Sequence, residues 1–377
     1  MKQLLKYPLI IIFFAFIAIT TIVDFIVPSK PHSYWENRDL AQKPKMTLTS
    51  LIENKYTSEY EKFINDQFAA RDTWISIKSV AESALGKIEN NGVVYGKDNY
   101  MFDKLNTPDL ERIDKNIGFY RDFVEKYPDE KITVGIIPNS YSVLTDKAPT
   151  YLNNIDQTQY TEKLFSQLEG ENLSELYFSD ALKAHQDEYI YYRTDHHWTT
   201  LGAYYAYAEY VRSLGFEPVK IESLQPKIQE NFLGTYFNKS KSFNAKPDFI
   251  TWYDIPTEEI TVNLEAVDSM YDISKFNERD MYAAFLRGNN GQTIIKSSVN
   301  QNKVVGKTSK ILVIKDSYAN SFVPFLLYNF DEVHVVDLRK FAPKLSLYLS
   351  ENDFDEILLM YNFKNFSEDI NIPKLRY

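Results

Sequence analysis

A chain of 377 residues with 44% hydrophobic and 25% charged residues has ample material for a buried core, which excludes a disordered tail. Its net charge of −10 speaks against a nucleic-acid partner, which selects a basic surface. The lack of cysteine removes disulfides, thiolate catalysis, zinc fingers and lipid attachment through a thiol.

The amino terminus reads "MKQLLKYPLIIIFFAFIAITTIVDFIVP", with Lys2 and Lys6 ahead of an apolar run from Leu9 to Val23 that extends past Asp24 to Val27. A run of roughly 18–20 residues suits a bilayer-spanning helix, and no small-x-small cleavage site follows it. Lysines before the span place the amino terminus in the cytoplasm. Residues 1–28 are therefore expected to be a signal anchor, 29–47 a Pro-rich juxtamembrane linker, and 48–377 an extracellular domain on a cell membrane.

Residues 48–86 carry apolar positions at helical spacing, with Gly86 as a stop. "NNGVVYGKDNYMF" (90–102) is a hairpin signal. Beyond residue 106, helical and extended segments alternate. "LERIDKNIGFYRDFVEKYP" is an amphipathic helix, "KITVGIIPNS" a buried strand, and 157–169 holds another helix. "EYIYYRTDHHW" is expected to be extended. "TTLGAYYAYAEYVRSLG" follows as a helix capped by Thr199 or Thr200 and stopped by Gly215. Residues 220–300 read as an inserted lobe of mixed β character. "SKILVIKDSYANSFVPFLLYNF" is strand, tight turn and helix, "EVHVVDL" a strand, "LSLYLS" helical and "EILLMYNF" a last strand. This alternation implies an α/β, three-layer architecture around a mostly parallel sheet.

Two of only five histidines stand together in "TDHHW". On an extended segment Asp195 and His197 share a face and His196 takes the other. An Asp two residues before a His can then accept its Nδ1–H and leave Nε2 as a base. Trp198 is expected to wall the site. The nucleophile this dyad needs is offered by Ser317, at a strand-to-helix turn where the backbone N–H of Ser317 or Tyr318 can face an oxyanion. Asp316 and Ser317 serve equally well as a helix cap. Asn362 and Arg339, each leaving a strand end, are further oxyanion or substrate candidates, with Asn365 behind Asn362. The turns "NFLGTYFNKS" and "FLRGNN" either line the cleft or only turn the chain. A zinc site wants three or four ligands, and His32, His185 and His334 are scattered, so no metal and no other cofactor is expected. The 28 tyrosines suit a sugar-stacking surface as well as a core.

"YRTDHHWTTLGAYYAY" together with "KDSYANSFVPFL" resembles the DHHW protein family, membrane-anchored extracellular proteins similar to the SGNH-like O-acetyltransferases that modify alginate. The resemblance extends to "ENRDLAQKP", "YEKFINDQFAARD", "NNGVVYGKDNYMF", "FLGTYFNKS" and "FLRGNN". It implies an SGNH-hydrolase-like sandwich with permuted block order, the serine block following the Asp/His block. Asp195, His197 and Trp198 fall on its Asp-x-His-Trp pattern and Ser317 on its nucleophile, with Lys315 where SGNH hydrolases have glycine. It further implies acetylation of a polysaccharide acceptor through acetyl-Ser317, with a membrane-bound O-acyltransferase as acetyl supplier. A polysaccharide acetylesterase with the same triad, or a non-catalytic glycan-binding scaffold, remain the alternatives.

Overall fold

A computed structural model describes residues 7–33 and 38–377. Lys2, Lys6 and linker residues 34–37 lie outside them. By internal packing the chain falls into two compact units, one reaching to Ile88 and including Asn238–Phe243, the other comprising Glu89–Phe237 and Asn244–Tyr377.

The first unit contains helices α1 (Pro8–Ile26), α2 (Leu48–Ile52), α3 (Lys55–Gln67) and α4 (Arg71–Ala84). The helical character expected over 48–86 is met by three helices, separated at Asn54 (φ 55°) and Ala70 (φ 54°), left-handed residues that end one helix and start another. The bilayer span expected over 1–28 is not met: among the described residues no helix is long and apolar enough to cross a membrane. α1 holds 19 residues, Asp24 in its last turn accepts the Ala69 N–H at 2.7 Å, and Phe16 meets Trp74 edge-on. Leu9, Ile12, Phe14, Ile19 and Ile26 stay exposed along it.

The second unit is built on an eight-stranded sheet: β1 (Ile132–Ile137), β2 (Leu173–Tyr177), β3 (Thr257–Val262), β4 (Glu265–Ala266), β5 (Gln292–Ser297), β6 (Lys310–Lys315), β7 (Glu332–Val336) and β8 (Glu356–Asn362). Its order is β4-β3-β5-β7-β6-β8-β1-β2. The five strands from β7 to β2 are parallel, and β5, β3 and β4 continue the sheet antiparallel beyond β7. The expected inserted lobe is thus partly absorbed: three of its strands widen the main sheet, while Pro226–Phe232 and Asp248–Tyr253 form a separate antiparallel pair.

The inner parallel strands β1, β6 and β8 are buried on both faces because both are covered. Ile311 and Val313 of β6, with Leu358 and Met360 of β8, share one core with α6 (Thr200–Ser213), including Tyr204 and Tyr207. Leu312, Ile314, Ile357 and Leu359 share the other with Ile113, Ile117 and Tyr120 of α5 (Leu110–Lys126). Those three α5 positions recur every three or four residues, the period that puts one face of a helix on a core. Asp109 caps α5 by accepting the Arg112 N–H at 3.0 Å, and Thr199 caps α6 by accepting that of Gly202. Asn91 (φ 49°) and Gly92 (φ 75°) supply the two left-handed residues of the hairpin expected over 90–102.

Candidate active site

The segment expected to be extended, Glu188–Trp198, is instead a bent loop closed by a single antiparallel bridge between Tyr191 and Trp198. Face alternation therefore does not operate here, and the rings of His196 and His197 lie 3.8 Å apart, not on opposite sides. Asp248 holds the bend. Its carboxylate accepts the N–H groups of Arg193 (3.0 Å) and Thr194 (2.8 Å), the Thr194 hydroxyl (2.6 Å) and the Tyr189 hydroxyl.

Within this loop Asp195 and His197 still meet. Asp195 Oδ1 faces His197 Nδ1 at 2.6 Å and also accepts the His197 backbone N–H at 2.9 Å. The second oxygen accepts the Thr235 N–H at 2.7 Å. Gly234 permits that approach, since a Cβ there would overlap the Asp195 side chain. Burial alone would raise the Asp195 carboxyl, but His196, His197 and the Thr235 amide reverse this and hold it well below the usual carboxylate range. A permanently ionised acceptor keeps the imidazole proton on Nδ1 and leaves Nε2 as the basic atom.

Nε2 faces Ser317 Oγ at 2.8 Å. Asp195, His197 and Ser317 thus form one continuous hydrogen-bonded chain, with residue His197 5% and Ser317 9% exposed. Ser317 opens a 3-10 turn, Ser317–Ser321, at the carboxyl end of β6. Asp316 fastens this turn: one oxygen accepts the Tyr318 N–H (2.9 Å), the other the Asn362 N–H (2.8 Å) and the Asn365 amide (2.7 Å). Burial lifts the Asp316 carboxyl against these hydrogen bonds. Capping and presentation of the nucleophile therefore belong to neighbouring residues, Asp316 doing the first and Ser317 placed for the second.

The expected accessory residues are engaged within the fold. The Tyr318 N–H goes to Asp316 and the Tyr318 hydroxyl to the His196 carbonyl, which leaves the oxyanion role foreseen for Tyr318 without that amide. Asn362 donates its amide to the Ile137 carbonyl at 3.1 Å and caps the following helix through the Lys364 N–H, so it binds strand ends together. Arg339 is held in a two-point pair with Asp337 (2.8 and 2.5 Å). Trp198 is fully buried and braces the serine turn, donating to the Tyr318 carbonyl (2.8 Å) and facing Ser321 Oγ (3.1 Å), so it is a strut where a wall was expected. Lys315, in place of a glycine, is buried with Nζ near Asn320 (2.6 Å), Asn289 (3.1 Å) and Asp337 (3.5 Å). Burial pushes its ammonium down to about 8.

The sequence reading missed Thr235, Asp248 and Tyr282, whose ring lies against the His197 imidazole. Thr235 lies in the quoted "FLGTYF" turn, where a Gly before a backbone donor was the available signal. Asp248 and Tyr282 sit in stretches without diagnostic spacing. Asp195, His196 and His197 offer ligand atoms within 4.8 Å of one another. For a cation to use all three, His197 would have to give up its hydrogen bond to Asp195. What the arrangement can do as it stands is transfer the Ser317 proton to His197 while Ser317 attacks an acyl carbon.

Solved structures share the fold. A DHHW family protein from Eubacterium siraeum matches at TM-score 0.64 and 22% identity, over 77% of this chain and 96% of that one. Bacillus cereus PatB1 matches at 0.60 and 17%, over 74% and 97%, and its structure with a sulfonyl adduct at 0.62 and 16%, over 76% and 98%. None of the curated proteins matches. The sequence model of the DHHW protein matches residues 128–336, which contain the whole Asp195–His197–Ser317 chain, and on that match this protein belongs to the DHHW family.

Proposed function

We propose that this protein is an extracellular O-acetyltransferase that places acetyl groups on polysaccharide hydroxyls through an acetyl-Ser317 intermediate. The observation that carries the reading is the unbroken chain from the Asp195 carboxylate through His197 to Ser317 Oγ. Membership of the DHHW family supports it. Ser317 Oγ attacks the acyl carbon of the donor while His197 Nε2 takes its proton and then delivers it to the leaving group. An acceptor hydroxyl next attacks the acetyl carbon, its proton passes to Nε2, and the returning proton restores Ser317. Asp195 holds the ring and stabilises the imidazolium formed in each half. The donor side is assigned to a membrane-bound O-acyltransferase, and the exposed apolar residues of α1 to holding the chain at the membrane with its catalytic unit outside.

The test is intact-mass analysis after incubation with a chromogenic aryl acetate. We expect one added acetyl group, absent in Ser317→Ala and His197→Ala, and an acylation rate about 10⁴-fold lower in Asp195→Asn, where the imidazole loses its ionised partner. Acetylated product should then appear when unacetylated oligosaccharides are supplied. Acetate released to water at the same rate with or without oligosaccharide would replace transferase by esterase. A folded wild type that takes no label and still binds oligosaccharide would leave the scaffold.

A further inference from the structure

Tyr282 lies in the short turn Met281–Ala284, far in sequence from both catalytic segments. Its ring stacks on the His197 imidazole with centroids 3.8 Å apart and planes within 10°. Its hydroxyl lies 3.2 Å from the Tyr318 carbonyl and 3.0 Å from Ser321 Oγ, the two groups that Trp198 also engages. One side chain thus touches the base through its face and the nucleophile's turn through its edge. Tyr192 and Phe285 meet the ring at 6.3 and 5.2 Å and fix its tilt.

We infer that Tyr282 is a positioning residue for the acyl-transfer step, favouring the imidazolium form of His197 that arises as Ser317 loses its proton. This rests on the function proposed above. Two neutral rings stacked face to face gain little, because their quadrupoles oppose. Once the imidazole carries a positive charge, the same geometry is a cation–π contact in a desolvated site. The attraction is therefore larger in the transition state than in the resting protein, which is the condition for accelerating a reaction. A purely space-filling side chain would meet neither the parallel geometry nor this charge dependence.

Three variants of the full chain separate these roles, each compared with wild type and Ser317→Ala by aryl-acetate acylation kinetics. Tyr282→Phe keeps the π face without the hydroxyl and should acylate within about threefold of wild type. Tyr282→Leu keeps bulk without the face and should lose about tenfold in kcat with KM unchanged. Pentafluorophenylalanine at position 282 keeps the shape of Phe and reverses its quadrupole. It should fall at least as far as Leu, and it decides the matter if the Leu variant does not fold. Leu or fluorinated variants acylating like wild type would overturn the inference while Ser317→Ala remains dead. So would a Phe variant as slow as Leu, or a loss carried by KM. Wild type without label would overturn this inference and the proposed function together.

Discussion

Gly234 decides how well Asp195 can orient its histidine. The backbone at Gly234 passes so close to the carboxylate that any Cβ would collide with it. The neighbouring Thr235 N–H needs that closeness to reach Asp195. Gly234→Ala should therefore displace Asp195 and slow acylation by about 100-fold, the scale of a misplacement near 1 Å, with substrate binding largely retained. Stopped-flow measurement of the acyl burst checks this, and a burst of wild-type rate would mean that the loop absorbs the methyl without consequence. At this scale the candidate site was partly legible. Asp195, His197 and Ser317 stood out because the histidines are few and a D-S pair follows a buried strand, although the alternation argument that joined Asp195 to His197 does not describe the bent loop. Tyr282 and Asp248 were silent because a stacking ring and a loop-binding carboxylate have no fixed spacing from what they support.

Glu356 opens β8 and brings a titratable group into the sheet. It is largely buried, with Lys131 at 3.8 Å, and burial pushes its carboxyl up to about 7. A carboxyl raised in the folded state binds its proton more tightly there than when unfolded. Its stabilising contribution is present below the unfolded value and is lost as pH rises through about 7. Between pH 5 and 8 Glu356 should cost about 1 kcal/mol of unfolding free energy, a figure reduced for its partial exposure. Glu356→Gln should remove that slope in urea titrations at the two pH values, and an unchanged slope would assign it to other groups. Elements themselves were readable where periodicity was strong, as in α5, α6 and the β6 and β8 strands. The breaks at Asn54 and Ala70 were not, since neither residue is a glycine or proline. The joining of β3 and β5 to the sheet was equally hidden, because antiparallel pairing of β3 with β5 and of β5 with β7 across long sequence separations leaves no local mark.

At the scale of the whole molecule the α/β architecture with its mostly parallel sheet follows from the alternation of strands and helices along the chain. The membrane assignment rests on α1 alone. The full chain should float with liposomes in a density gradient, and a chain beginning at Pro28 should stay at the bottom. A full chain that remains at the bottom would remove the anchor from the proposal. Ser317 follows His197 by 120 residues, and the base is complete in sequence long before the nucleophile exists. A ribosome that has made the Asp-His-His-Trp loop has not yet made the serine that His197 faces in the fold. Because β6, which presents Ser317, lies between β7 and β8, both later in the sequence, its setting in the sheet is complete only once those two strands have been made. The order of the segments therefore makes the proposed reactivity of Ser317 wait for strands translated after it.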